Sequence, residues 1–184
     1  MNIDLGASGA CVGVVLAGGL SSRMGRDKAL LDWHGKSLLQ HQFDTISVIC
    51  RKVVVSGSYT GFDCVEDTTR CRGPLGGILS VAEIYRDSAL LIIPVDMPLL
   101  TVPMLSRLME SGVSCSFSEQ PLPAFFPNAR RLIEASEILA NGLDSRFSIK
   151  SIHCLLASLT LQSDIACLVN ANTPEQWRLL ALSV

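Results

Sequence analysis

The chain has 184 residues, a net charge of −2 and a hydrophobic fraction of 48%, which together predict a single domain spanning residues 1–184 with a substantial buried core. Because it lacks a basic block, we expect no nucleic-acid partner. No apolar run reaches the roughly 18 residues that a membrane span needs. Residues 1–10 carry an Asp but no Lys or Arg, so we expect a short, loose N-terminus and no signal peptide.

The first predicted element is a buried strand, because residues 11–17 form a β-branched apolar run. This strand ends at Gly18-Gly19, and a polar loop follows that contains Arg23, Gly25 and Lys28. In an open α/β sheet, ligands bind beyond the carboxyl ends of such strands. Glycines let backbone N–H groups approach phosphate closely, and Arg and Lys add cationic donors. The loop therefore predicts a phosphate site, although a plain strand-to-helix turn remains the alternative.

Two common phosphate-binding motifs are missing from this loop. A Walker A loop would need G-x-x-x-x-G-K-[ST], and the spacing from Gly19 to Gly25 is one residue too long and is followed by Arg26. The dinucleotide fingerprint G-x-G-x-x-G is also absent from the sequence. The loop motif alone therefore leaves the kind of phosphate ligand open.

The rest of the chain alternates between predicted strands and helices, which indicates a mostly parallel, mixed sheet covered on both faces. Before residue 102 we predict an extended piece at 29–33, a helix at 37–49 capped by Ser37, strands at 52–56 and 64–67, a helix at 73–86 and a central strand at 89–95. Beyond it we predict helices at 102–111 and 128–140, edge strands at 113–117 and 122–126, strands at 156–161 and 166–169, and a last helix from Thr173-Pro174-Glu175. Residues 145–152 fit either a helix or a strand.

The seven cysteines are scattered along the chain, and none forms a C-x-x-C pair. The three histidines do not complete a zinc-binding pattern with them. We therefore expect buried, reduced thiols in a cytoplasmic enzyme.

Asp96 is the most informative residue after the loop, because it directly follows the apolar strand predicted at the centre of the sheet. A carboxylate at this edge can hold Mg²⁺, a hard cation that prefers oxygen ligands and often bridges phosphates. A turn-forming Asp-x-Pro is the structural alternative.

Several motifs in the chain resemble, in their order, those of MobA-like nucleotidyltransferases, and in particular the molybdenum cofactor guanylyltransferases. The similarity runs from about residue 14 to residue 177. The matching segments are Leu16-Ala-Gly-Gly with Arg23-Met-Gly and Asp27-Lys28, Gly73-Pro-Leu-Gly-Gly-Ile, Pro94-Val-Asp-Met-Pro98, Gln120-Pro-Leu-Pro-Ala124 and Asn170-Ala-Asn-Thr-Pro-Glu175. The resemblance implies a three-layer, Rossmann-like α/β domain with a mostly parallel central sheet.

The resemblance also implies an activity, the Mg²⁺-dependent reaction of GTP with molybdenum-molybdopterin to give the guanine dinucleotide cofactor and pyrophosphate. It implies phosphate screening by Lys28 and Arg23, and a metal site with nucleotide contact at Asp96. Further nucleotide contacts would come from Leu16, Ala17, Gly18, Gly19, Gly25, Ser56 and Asp67. Ser56 stands where some members have Asn. Asn170 and Asn172 would face the pterin or the floor of the site, although capping of the last helix would explain them equally well.

Other functions would use the same loop, Lys28 and Asp96. They are a molybdopterin cytidylyltransferase and a sugar-1-phosphate nucleotidyltransferase. A non-catalytic module that hands on the cofactor is a third possibility. The segments at 120–124 and 170–175 favour the guanine branch by resemblance. Because the product is reactive, we also expect transient contacts with molybdenum cofactor biosynthesis proteins or apo molybdoenzymes.

Overall fold

The computed structural model describes residues 9–18, 27–68, 73–118, 120–141, 147–163, 165–171, 176, 177 and 180. The strands in these ranges are β1 (Gly9–Leu16), β2 (Asp32–Trp33), β3 (Lys36–Ser37), β4 (Lys52–Ser56), β5 (Cys64–Val65), β6 (Ser88–Pro94), β7 (Cys115–Phe117), β8 (Ala124–Phe126) and β9 (Leu159–Leu161). The α-helices are α1 (Leu38–Ser47), α2 (Pro74–Ile84), α3 (Val102–Glu110), α4 (Ala129–Asn141) and α5 (Ile149–Leu155). Short 3-10 helices cover Lys28–Leu30 and Ile165–Leu168.

Seven of the strands form one sheet in the order β5-β4-β1-β6-β8-β7-β9. The pairs within β5-β4-β1-β6 are all parallel, and β8 runs antiparallel to both β6 and β7. The predicted mixed, mostly parallel sheet is therefore confirmed. The most hydrophobic strand, β6, lies in the middle of the sheet, where both of its faces are covered.

Alternate side chains of the strands enter two separate hydrophobic cores, as the two-residue period of a strand requires. On β1, Val15 belongs to a core shared with α1 and α3, and Val14 to a core shared with α2, α4 and α5. Helices thus cover both faces of the sheet, and the predicted three-layer α/β architecture is confirmed.

Helix α1 begins where the sequence places its cap. The Ser37 Oγ accepts a hydrogen bond from the Gln40 backbone N–H at 3.1 Å, which satisfies one of the free donors of the first turn. The helix buries Leu38, Leu39 and Ile46, at helical spacing, against the sheet.

Two predictions about local structure are wrong, one of them in part. In the extended piece predicted at 29–33, Asp32–Trp33 is a strand as expected. Ala29 and Leu30 belong instead to a 3-10 turn, because the Asp27 carboxylate accepts the Ala29 N–H at 3.0 Å and caps that turn. Residues 165–168 also form a 3-10 helix where we predicted a strand at 166–169, since so short an apolar run does not distinguish the two structures.

The predicted edge positions of the two strands around residues 113–126 are also wrong. Strand β8 lies between β6 and β7, and β7 lies between β8 and β9. Pro123 precedes β8 and Pro127 follows it, so every residue within the strand keeps its N–H donor and the prolines do not interrupt the ladder.

Other predicted elements differ only in extent. The residues of 145–152 that are described favour the helical alternative, because Ser148 caps α5 through the Ser151 N–H. Strand β9 begins at Leu159, after Leu156 has ended α5. The predicted loose N-terminus overlaps β1, which begins at Gly9, and its residues 1–8 lie outside the described part, as do residues 173–175.

Candidate active site at the carboxyl edge of the parallel strands

Four parallel strands end in one row at the same edge of the sheet. Leu16 of β1 is in register with Ser56 of β4 on one side and with Pro94 of β6 on the other. Ser56 is in turn in register with Val65 of β5. The residues that follow these strand ends therefore share one surface, the position at which open α/β sheets bind ligands.

Lys28 and Asp96 form an ion pair at this edge, although they are 68 positions apart in sequence. The Lys28 Nζ lies 3.2 Å from Asp96 Oδ2. Their side chains are only 17% and 21% exposed, so water screens the pair less than it screens a surface pair. The structure thus joins the end of the glycine-rich loop to the candidate metal carboxylate.

The backbone after Asp96 is held by helix α1 and by the chain near residue 171. The Gln42 Nε2 donates to the Met97 carbonyl oxygen, and the His41 Nε2 lies 2.9 Å from the Pro98 carbonyl oxygen. On the other side, the Ala171 N–H donates to the Asp96 carbonyl oxygen at 2.9 Å. Because these contacts fix the main chain, the Asp96 carboxylate is presented from a rigid turn.

Two glycines in the first turns of α2 make room for two of the predicted site residues. A Cβ on Gly76 would lie 2.6 Å from Asp67 Oδ2, and a Cβ on Gly77 would lie 2.2 Å from Ser56 Oγ. Only glycine allows such close approaches. The Asp67 carboxylate and the Ser56 hydroxyl consequently lie against the N-terminal end of α2, where the helix dipole favours negative charge.

The start of the glycine-rich loop is fastened to Ser56. The N–H groups of Ala17 and Gly18 both donate to the Ser56 carbonyl oxygen, at 3.1 and 2.7 Å. These two N–H groups are therefore engaged in hydrogen bonds to β4 at the sheet edge in this structure. Gly18 is exposed on this edge, whereas Ala17 is buried beneath it.

The structure brings together most of the predicted site residues that it describes. Asn170 is half-buried, and its neighbour Ala171 bonds to Asp96. Among the described residues, the Asn170 Oδ1 is a buried acceptor without a hydrogen-bond partner. Four further predicted site residues lie outside the described part of the chain, namely Gly19, Arg23, Gly25 and Asn172.

Asp96 is the carboxylate that could hold a divalent cation here. No group of three or more His, Cys, Asp or Glu side chains arranged around a metal position occurs in the described ranges. Mg²⁺ is commonly bound through one or two carboxylates together with substrate phosphates and water, so a site at Asp96 does not need such a group. The hard carboxylate donor beside a lysine fits such an arrangement.

Sequence reasoning missed the residues that position this site. The sequence singles out neither Gln42 nor Tyr59. Tyr59 bonds to both Ala17 and Asp27 across the base of the loop. Neither contact has a local sequence signal, because each of these side chains binds a segment more than 30 positions away.

Fold and site together define an open α/β domain with a candidate ligand site at the carboxyl edge of its parallel strands, and comparison with known proteins makes this class specific. The family model described as the MobA-like NTP transferase domain matches residues 13–166. A molybdenum cofactor guanylyltransferase from Xanthomonas euvesicatoria pv. vesicatoria (strain 85-10) is 41% identical over 173 residues, which cover 90% of this chain and 91% of that protein. The chain belongs to the MobA-like NTP transferase family and is a nucleotidyltransferase.

Solved structures support the same fold at much lower sequence identity. The molybdopterin-guanine dinucleotide biosynthesis protein A of Archaeoglobus fulgidus superposes with a TM-score of 0.73 at 16% identity, covering 94% of this chain and 97% of that one. A nucleotidyl transferase from Methanothermobacter gives a TM-score of 0.75 at 16% identity, covering 95% of this chain and 97% of that one.

None of the helices in the described ranges has both the length and the apolar character that crossing a bilayer demands.

Proposed function

We propose that this chain transfers GMP from GTP to molybdenum-molybdopterin, releasing pyrophosphate and forming the guanine dinucleotide form of the cofactor. The choice of guanine and of the pterin acceptor rests on the relative from Xanthomonas. The observation that carries the chemistry is the Lys28–Asp96 pair, which places a cation and a carboxylate together at the ligand-binding edge of the sheet.

The reaction asks for positioning and charge screening more than for acid–base catalysis. An oxygen of the acceptor's terminal phosphate bonds to the α-phosphorus of GTP, and the bond from that phosphorus to the bridging oxygen breaks. Pyrophosphate leaves with the electron pair. Because the acceptor phosphate is already ionised at neutral pH, no general base is needed. The protein must instead bring two anions together in line.

Lys28 provides the positive charge for this task. A phosphate held beside Asp96 meets the Lys28 ammonium group, since the two side chains are 3.2 Å apart. Arg23, in the same loop, is proposed as a second phosphate ligand. Asp96 would hold Mg²⁺, which when bound neutralises phosphate charge.

The remaining predicted residues are proposed to shape the nucleotide pocket. Asp67 and Ser56, at the N-terminal end of α2, are positioned for polar contacts with the nucleotide. The end of β1 would form the floor of this pocket through Leu16, Ala17 and Gly18. The glycine-rich loop would line it through Gly19 and Gly25. Asn170, whose Oδ1 accepts no hydrogen bond from the described residues and lies next to the Asp96 turn, is proposed to face the pterin or the site floor together with Asn172.

The decisive test is pyrophosphate release by the purified protein with Mg²⁺ and molybdopterin, comparing GTP, CTP, ATP and UTP. Release with GTP alone is expected. Release with CTP alone would move the chain to the cytidylyl branch and overturn the proposed base. If a folded sample released pyrophosphate only with a sugar 1-phosphate in place of molybdopterin, the acceptor would be wrong. Nucleotide binding without release on any acceptor would favour a cofactor-handling module.

A cytoplasmic location and transient protein contacts stay predictions. The contacts are proposed because a reactive product is better transferred directly than released. Pull-down with apo molybdoenzymes, compared with the same enzymes already loaded with cofactor, tests this. Equal recovery of both forms would contradict a transfer contact.

A further inference from the structure

Tyr59 lies between the two ends of the glycine-rich loop. Its hydroxyl is 3.0 Å from the Ala17 carbonyl oxygen and 2.9 Å from Asp27 Oδ2. A single O–H group is thus shared between two acceptors. One is on Ala17, directly after β1 and before the loop, and the other is on Asp27, the first residue described after the loop. Burial, and secondarily the Asp27 carboxylate, raise the pKa of Tyr59, so the hydroxyl keeps its proton and remains a donor at neutral pH.

The tyrosine is itself firmly placed. Its N–H donates to Cys64 Sγ, and the Cys64 thiol donates to its carbonyl oxygen, both at 3.3 Å. Gly57 has a φ of +148°, and a Cβ there would lie 2.8 Å from the Tyr59 ring. The turn after β4 thus uses a glycine both for its backbone conformation and to admit the aromatic ring.

Asp27 relays this contact to the active site. One of its carboxylate oxygens accepts from Tyr59, and the other caps the 3-10 turn by accepting the Ala29 N–H. Lys28 is the first residue of that turn, and its ammonium group reaches Asp96. Two hydrogen bonds of the Asp27 carboxylate and the backbone of the turn therefore connect Tyr59 to Lys28, whose side chain reaches Asp96.

We infer that Tyr59 is a positioning residue. Its hydroxyl bonds both Asp27 and the end of β1, and it thereby holds Lys28 in place for the nucleoside triphosphate. This inference rests on the proposed function for its kinetic consequence, but its structural part concerns the protein without substrate. Tyr59 touches neither Lys28 nor Asp96 in the contacts above, so it acts through Asp27.

The first experiment measures hydrogen–deuterium exchange in the free protein. Tyr59→Phe removes only the hydroxyl, and we expect several-fold faster exchange at the Ala29, Leu30 and Leu31 amides, which bond within the capped turn. Tyr85→Phe is the matched control. It makes the same change in the chain's other tyrosine, which lies at the end of α2 beside Lys52, and should leave that turn unchanged. Unchanged exchange in Tyr59→Phe would overturn the inference, whatever the enzyme does.

The second experiment measures steady-state pyrophosphate release. Tyr59→Phe should raise the KM for GTP by about two- to tenfold, because a Lys28 that is no longer held must be ordered when the nucleotide binds, and should leave the KM for molybdopterin unchanged. A merely damaged fold would lower kcat through a smaller active fraction and leave both KM values alone. Tyr59→Phe combined with Lys28→Ala should bind GTP no more weakly than Lys28→Ala alone.

The outcomes separate the two proposals. If the native protein turns over no nucleotide, the proposed function fails, while the exchange measurement still decides the role of Tyr59. If turnover is present and the KM for GTP is unchanged in Tyr59→Phe, the proposed function stands and the inference fails. Additive losses in the double variant would show that Tyr59 does not act through Lys28.

Discussion

Two lysine–aspartate pairs, whose lysines belong to the same segment of the chain, differ in how far solvent reaches them. The Lys28–Asp96 pair at the carboxyl edge is 3.2 Å long and about four-fifths buried, with side chains 17% and 21% exposed. The Lys36–Asp44 pair, between β3 and α1, is shorter at 2.6 Å, but its side chains are 59% and 43% exposed. Distance alone would rank the surface pair as the stronger, whereas the dielectric around each pair favours the buried one.

The difference teaches that support around a pair matters more than its length. Lys36 and, to a smaller extent, Gln40 lower the pKa of Asp44, yet water screens most of that interaction. At the carboxyl edge, Asp27 caps the turn that carries Lys28, and Gln42 holds the chain after Asp96. The Lys36–Asp44 pair is a local surface contact. The Lys28–Asp96 pair, in contrast, is supported by the turn at Lys28–Leu30, by helix α1 and by the chain after β6.

The largest expected effect comes from breaking the buried pair. Lys28→Ala and Asp96→Ala should each lower kcat/KM for pyrophosphate release at least about a hundredfold, because each removes charge that acts directly on the phosphates. Circular dichroism and gel filtration would show that the variants are folded. Near-normal turnover in either folded variant would contradict the roles assigned here.

A smaller effect is expected from filling the space beside Asp67. Gly76→Ala would place a methyl group 2.6 Å from the present position of the carboxylate, which must move. Affinity for GTP should fall about tenfold through loss of one polar contact. Thermal stability should stay the same or rise, since Ala is favoured over Gly in a helix by up to about 1 kcal/mol.

The Gly76 prediction has an internal control. If the methyl group acts by moving the carboxylate, Asp67→Ala combined with Gly76→Ala should bind GTP no more weakly than Asp67→Ala alone. Native affinity in Gly76→Ala together with weak binding in Asp67→Ala would contradict the steric argument.

Sequence reasoning located the parts of the site that have local signals. Asp96 directly follows an apolar run, so its position at the carboxyl edge followed from the parallel topology, whereas Ser56 and Asp67 were named only by the family resemblance. The Ser37 cap was predictable because a serine precedes a helical pattern, and the central position of β6 because its sequence is the most hydrophobic of the strands. The family resemblance added roles that residue spacing alone left open.

Contacts between distant segments were beyond sequence reasoning. Tyr59 is 42 positions from Ala17 and Gln42 is 55 positions from Met97, and no periodicity relates the members of either pair. The interior position of β8 was missed because proline beside a strand was interpreted as proline within it. The 3-10 turn at Lys28–Leu30 depends on a capping contact whose geometry a short segment does not reveal.

His153 extends the comparison to a half-buried group for which the described residues show no ionic partner. Its Nε2 lies 3.0 Å from the Pro121 carbonyl oxygen and donates to it in the neutral ring, while Nδ1 is buried without a partner among the described residues. Burial lowers the pKa of His153, although the carbonyl contact opposes that change. The folded protein therefore prefers the neutral ring.

The direction of the pH effect follows from this lowered pKa. The contribution of neutral His153 to stability is fully present above its unfolded pKa of about 6.5. It declines as the pH falls below that value, because the unfolded chain takes up the proton first. Urea denaturation at pH 7.5 and 5.5 should show a larger loss of unfolding free energy for the native protein than for His153→Gln. An equal loss in both would show that burial does not suppress protonation of His153.

The smallest effect is expected at the exposed pair. Lys36→Ala should change the free energy of unfolding by no more than about 0.5 kcal/mol, and the melting temperature by about 1–2 °C, because exposed ion pairs contribute little. Turnover should remain native, which makes Lys36→Ala the matched control for Lys28→Ala in the same segment. A loss of activity comparable to that of Lys28→Ala would mean that both lysines meet the substrate. The contrast between a buried functional pair and a screened surface pair would then no longer hold.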